Sequence, residues 1–208
     1  MKVKVKVPAT SANLGPGFDV AGLALTLYNT FTFELADQGL NITGCPEQFC
    51  NEENMTYQAF KQAAEICGLE YQGVNIECSG DVPYTRGLGS SSTCIVAGIV
   101  GAFAFKDKVE DRQEILELAT AIEGHPDNVA PAIFGGLTVS VMEEDNVLTL
   151  NIPVKHDYRF VTLIPPFTLS TEQSRSVLPQ VLPRADAIKN VSHLALMVAS
   201  LILSLIHI

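Results

Sequence analysis

Two glycines and three serines stand together in Pro83-Tyr84-Thr85-Arg86-Gly87-Leu88-Gly89-Ser90-Ser91-Ser92-Thr93, just before a long apolar segment. Glycine lets a backbone turn tightly and come close to a ligand, and the first turn of a helix leaves N–H groups without intrahelical partners. A helix over about Ser91 to Phe105 would therefore aim its positive dipole end and first amides at an anion, with serine hydroxyls adding hydrogen bonds or a metal ligand. A nucleoside triphosphate suits such a loop. Two better-known phosphate loops do not fit, because no Gly-Lys-Ser/Thr follows the glycines and Ser92 replaces the third glycine of the dinucleotide fingerprint. The competing reading is a glycine-rich turn into a buried helix capped by serine.

Other chemistry-bearing residues are ambiguous on their own. Asn13 and Asp19 lie six apart in one loop and would face a common cavity if that loop folds back. Otherwise they are an Asx-turn asparagine and a structural aspartate. Glu117 reads as a solvated glutamate on a helix. His125 and Asn128 flank Pro126, and a histidine before proline is ordinarily a loop residue with a satisfied ring. Thr171 and Arg175 are four apart at a helix start and share a face, where a guanidinium fork suits an oxyanion. The plain alternative is an exposed surface arginine.

The loop Pro83 to Thr93 is similar to the nucleotide loop of the GHMP kinases, the superfamily of galactokinase, homoserine kinase, mevalonate kinase and phosphomevalonate kinase. Two further stretches, Pro8-Ala9-Thr10-Ser11-Ala12-Asn13-Leu14-Gly15-Pro16-Gly17-Phe18-Asp19 and Glu123-Gly124-His125-Pro126-Asp127-Asn128-Val129-Ala130-Pro131-Ala132, narrow the resemblance to the homoserine kinase family. Similarity extends from Lys2 to about Ile202. The resemblance implies that Pro83, Arg86, Gly87, Leu88, Gly89, Ser90, Ser91 and Ser92 bind ATP, and that Ser91 and Glu117 hold Mg²⁺. It implies that Asn13 and Asp19 receive the amino group and hydroxyl of L-homoserine, that His125 touches the substrate, and that Arg175 takes its carboxylate or a phosphate. Thr171 would lie near the reacting hydroxyl and Asn128 near the γ-phosphate, where some relatives carry an aspartate. Asparagine cannot accept a proton, so transfer would proceed by orientation and electrostatic stabilisation, with Asp19 as the alternative base. Two rivals remain: a GHMP kinase for another small alcohol, and a binding module that keeps the fold and binds nucleotide without turnover.

The elements that must position these residues follow from periodicity. Met1 to Val7 alternates as a half-buried strand, Pro8 to Phe18 is loop, and Val20 to Leu35 is a second strand region. A short strand covers Leu40 to Thr43, and a loop runs from Cys45 to Glu53. Asn54 caps a helix to Cys67, stopped by Gly68. Val74 to Cys78 is a strand leading to the glycine loop. The helix after that loop is apolar nearly all round and therefore central. Asp111 and Glu114 open a helix to about Glu123 with Ile115, Leu118, Ala119 and Ile122 inward. Asp127 or Asn128 caps a short helix to Phe134, and strands follow at Leu137 to Met142, Val147 to Leu150 and Arg159 to Ile164. A last helix is expected over Asn190 to Ile202. Without strict βαβ alternation this is α+β, helices against a largely antiparallel sheet. The resemblance implies a ribosomal-protein-S5-like ATP-binding domain over 1–153 and the start of a ferredoxin-like domain over 154–202, truncated, with 203–208 outside both. Leu203 to Ile208 is apolar, uncapped and unlike the family, resembling translated sequencing adapter, so the natural chain is expected to continue for about a hundred residues.

Composition excludes several classes. Thirteen Lys and Arg against 23 Asp and Glu give a net charge of −10, which disfavours a sequence-independent grip on nucleic acid or anionic lipid. The start alternates lysine and valine and is no signal peptide, and five cysteines without metal spacing point to free thiols in the cytoplasm. Val191 to Ile206, at 16 residues, falls short of the roughly 20 that span a bilayer, so no membrane partner is expected. A homodimer is compatible with the resemblance.

Overall fold

The structure is a computed structural model and describes residues 1–144, 146–153, 158–164, 171–203 and 205. Its frame is one six-stranded sheet with helices on one face. The strands are β1 (Lys2–Ala12), β2 (Ala21–Ala36), β3 (Gly39–Thr43), β4 (Gly73–Gly80), β5 (Leu137–Glu143) and β6 (Asn146–Ile152). The order is β3-β4-β2-β5-β6, with β1 also paired to β2; among the described strands β3–β4 is parallel and the other pairs are antiparallel. The helices are α1 (Met55–Cys67), α2 (Ser90–Ala104), α3 (Arg112–Glu123), α4 (Pro126–Phe134), α5 (Thr171–Ser176) and α6 (Arg184–Leu203). The expected α+β class with a mainly antiparallel sheet is therefore observed.

Alternation sets the sheet's two faces. Val3, Val5 and Val7 point inward with Phe31 and Phe33 of β2, while Lys2, Lys4 and Lys6 point to solvent. The inward face packs on α1 and α2, and Phe33 stacks on Phe60 with centroids 5.5 Å apart. The all-round apolar helix α2 is central, as its sequence requires.

Several boundaries differ from the sequence reading. β1 does not stop at Pro8 but continues to Ala12, with a register shift between Pro8 and Thr10. Proline lacks the donor a ladder needs, and a bulge beside it is how a strand tolerates that. The cap of α4 is His125, with Pro126 in its first turn, so Asp127 and Asn128 lie inside the helix. Residues Arg159 to Ile164 carry no strand, and Val161 and Leu163 are 88% and 91% exposed. Among the described residues no strand lies beside them to complete a ladder. The last helix begins at Arg184, six residues earlier than expected, and at 20 residues α6 is long and apolar enough to cross a membrane by length and composition.

Candidate active site

The glycine loop is set by its neighbours. Leu88 is buried with Ala9 and Val82, and its carbonyl accepts from the Thr10 N–H at 3.1 Å. Asn29 on β2 braces the other side: its Nδ2 donates to Thr93 Oγ1 at 3.0 Å and its Oδ1 accepts from the Val82 N–H at 3.2 Å. Gly89 caps α2 at φ 64°, and a Cβ there would collide with Thr10 Oγ1. Only glycine meets both conditions without strain. The cap makes no side-chain hydrogen bond, so the amides of Ser90, Ser91 and Ser92 open the helix without intrahelical partners, ready for an anion. Serine capping, the plainer reading, is not what the loop does.

Two serines converge on one carboxylate. Ser91 Oγ donates to Glu123 Oε1 at 2.8 Å and Ser92 Oγ donates to the same oxygen at 3.0 Å. Glu117 is elsewhere: its Oε1 accepts from Gln113 Nε2 at 2.7 Å, and Gln113 also donates to the Val147 carbonyl on β6. Six helical residues separate the two glutamates, about 9 Å along the axis and well over a hundred degrees round it. Ser91, expected to share a metal with Glu117, is here hydrogen-bonded to Glu123 instead. An all-oxygen set of a carboxylate and two hydroxyls beside a helix N-terminus fits a hard divalent cation.

A second group of charges lines the same cleft, about 1040 Å³ in volume. Asn13 (φ 66°) and Asp19 (φ 58°) both adopt the left-handed conformation, and Asn13 Oδ1 accepts from the Asp19 N–H at 3.1 Å, so the loop folds back on itself. The Asx-turn reading of Asn13 and its cleft position are thus both realised. Arg175 on α5 grips Asp19 with both terminal nitrogens, Nη1 at 3.0 Å from Oδ2, and its guanidinium lies 5.0 Å from the centre of the Phe18 ring. His125 Nδ1 is 2.6 Å from Asp127 Oδ1, and Asp127 is 1% exposed. That hydrogen bond raises the His125 pKa, outweighing the opposing effect of burial. Asn128 Oδ1 accepts from Thr10 Oγ1 at 2.8 Å, tying α4 to β1 beside Gly89. The side chain of Thr171 lies outside the described residues.

The structure thus brings together Asn13, His125, Asn128, Arg86, Gly87, Gly89, Ser90, Ser91 and Arg175 as walls of one cleft, with Asp19 joined to that wall through Arg175. Leu88 and Ser92 are buried behind it, and Pro83 is not among its lining residues. Asp127, Glu123, Thr10 and Asn29 were not singled out for it by sequence reasoning. Residues 54–136 match the family profile "GHMP kinases N terminal domain". A homoserine kinase from Clostridium beijerinckii is 50% identical over 198 residues, covering 95% of this chain and 66% of that protein. One from Clostridium botulinum (strain Kyoto) is 45% identical over 199 residues, covering 96% and 67%. The chain belongs to the homoserine kinase family. The crystal structure of homoserine kinase from Cytophaga hutchinsonii superposes with a TM-score of 0.80 at 27% identity, covering 98% of this chain and 68% of that one. The sheet and helices described above are the GHMP kinase fold, and the chain spans 66% of the length of the first curated homoserine kinases it matches.

Proposed function

We propose that the protein is an ATP-dependent homoserine kinase, transferring the γ-phosphoryl group of ATP to the hydroxyl of L-homoserine to give O-phospho-L-homoserine, a step toward threonine. The observation that carries this reading is one cleft with the start of a helix and its unpaired amides at one part of its wall and, at another, the Arg175 guanidinium that holds Asp19. The first suits nucleotide phosphates. The second suits an amino acid, whose ammonium and carboxylate would each find an opposite charge when Asp19 and Arg175 exchange each other for the ligand.

Catalysis of this kind rests on positioning and charge stabilisation. Gly87 and Gly89 let the backbone approach the phosphates, and the Ser90 to Ser92 amides donate to them. Ser91 and Glu123 would hold Mg²⁺, which when bound neutralises phosphate charge. Asn128, with its Oδ1 engaged by Thr10, keeps its amide NH₂ to donate toward the transferred group. His125, its Nδ1 held by Asp127, presents Nε2 to the substrate. Asp19 is bound by Arg175 in this state, so a base role begins only once the substrate has displaced that contact. In this reading residues 1–153 form the ATP-binding domain, the chain from 154 opens a second one, and the five free thiols fit the cytoplasm.

The test is ADP release from the full-length protein with L-homoserine, L-serine, L-threonine and mevalonate offered in turn. Turnover with homoserine well above the others is expected. Preference for mevalonate, or nucleotide binding with no ADP from any acceptor, would overturn the reading.

A further inference from the structure

Phosphoryl transfer leaves a group of thiols unused. Cys45, Cys78 and Cys94 line the cleft from the turn after β3, from β4 and from α2, together with Phe49, Met55 and Tyr84. Cys50 stands just outside, exposed, with its Sγ 3.4 Å from Cys45 Sγ and 3.7 Å from the carbonyls of Cys45 and Pro46. We propose that Cys45 and Cys50 form a reversible disulfide, and that its formation is coupled to nucleotide occupancy of the adjoining cleft. The coupling rests on the nucleotide reading above; the disulfide does not.

The geometry favours this pair over the others. The two residues face each other across a short 3-10 turn, Glu47–Phe49, and their sulfurs need close by only a little over 1 Å to reach a bond of about 2.05 Å. Cys50 is the accessible thiol and attacks first. Burial, then the neighbouring Cys50, pushes Cys45 up to about 11, and burial pushes Cys78 up to about 12, so neither is the first attacker. The oxidant is a small disulfide of the glutathione class. Cys50 thiolate attacks one of its sulfurs, the S–S bond breaks, and one thiolate leaves. Cys45 then gives up its proton and attacks the Cys50 sulfur of the mixed disulfide, expelling the second thiolate. Two protein thiols are oxidised and one small disulfide is reduced to two thiols.

The link to the cleft runs through the residue next to Cys50. The Phe49 ring lies 6.2 Å from that of Tyr84 in the glycine loop, and its carbonyl accepts at 2.8 Å from Asn54 Nδ2, the cap of α1. Drawing Cys50 onto Cys45 moves the turn that carries this wall.

The full-length protein is equilibrated in glutathione buffers of graded ratio, alkylated and mapped by peptide mass, and the affinity of each form for an ATP analogue is measured by calorimetry. A Cys45–Cys50 linked peptide, two hydrogens lighter than the reduced pair, should accumulate before any other. Nucleotide should bind the oxidised form at least about fivefold more weakly, at the low end of site-to-site coupling. Reductant should restore it, and Cys50→Ser should be insensitive. A mixed disulfide at Cys50 that Cys45 never displaces, or linkage to Cys78 or Cys94 instead, would overturn the disulfide. Equal affinities in the two forms would overturn the coupling. A reduced protein that binds no nucleotide would sink the nucleotide reading and the coupling, leaving the disulfide to be decided by its peptide.

Discussion

At the scale of single residues, the choice between two glutamates is the sharpest test of the site. Glu123 accepts from both Ser91 and Ser92, whereas Glu117 is held by Gln113 on another side of α3. Glu123→Gln in the full-length enzyme should lower kcat about a hundredfold or more, the loss expected when charge stabilisation of a transferring phosphoryl group is removed. Glu117→Gln should stay within about threefold, as for substitutions away from the chemistry; steady-state rates across a magnesium titration would show the order reversed if the assignment is wrong. His125 carries a pH signature. Asp127 raises its pKa above the ordinary value near 6.5, so the pair's contribution to stability is full below about pH 6.5 and is lost as pH rises through the folded value. Thermal melts of wild type and His125→Gln should therefore converge as pH rises above about 6.5. A gap that widens with pH would contradict the pairing. The sequence makes the residue types of this site legible but not their phase. Nothing local says which face of α3 will meet α2, or that Asp127 will be buried because its backbone lies against Gly22 of β2, where a Cβ has no room.

At the scale of elements, the parts read correctly are those whose signals are local. α1 begins and ends where its caps dictate: Asn54 Oδ1 accepts from the Thr56 and Tyr57 N–H groups at 2.9 and 3.2 Å, and Gly68 ends it at φ 68°. Asp111 likewise accepts from the Glu114 N–H at 3.0 Å. Because Asn54 also bonds Phe49, Asn54→Ala should destabilise the protein by about 1–2 kcal/mol, the upper part of the range for losing a cap, as measured by urea unfolding. A change under a few tenths would mean the cap contributes little. The elements misread are those decided by distant partners. β1 passes through Pro8 because β2 supplies the ladder on both sides of the bulge, and Arg159 to Ile164, strand-like in composition, has no neighbour to pair with among the described residues.

For the molecule as a whole, polar contacts among the described residues join the chain beyond β6 to the loop between β1 and β2. Arg175 grips Asp19, and Asn190 Nδ2 donates to the Pro16 carbonyl at 2.9 Å. Arg175→Ala should raise protease cleavage between β6 and α6 and weaken homoserine handling, with ATP affinity within about threefold, since Arg175 is engaged with Asp19 and Phe18. Loss of ATP binding would mean that the two halves of the cleft are not separable. The sheet's own wiring bears on when the site can exist during synthesis. Gly22 accepts from Thr138 Oγ1 at a separation of 116 residues, and the Thr10–Asn128 bond beside Gly89 spans 118. At the ribosome's usual pace of roughly 5–20 residues per second, the first strand waits on the order of ten seconds for the segment that closes the phosphate loop against it. During that interval the nascent chain can build the β1–β2 ladder and then add β4 and α1, yet it has no finished nucleotide site. A ligand such as ATP therefore cannot assist the early steps of folding, and can stabilise only a chain already translated past β5.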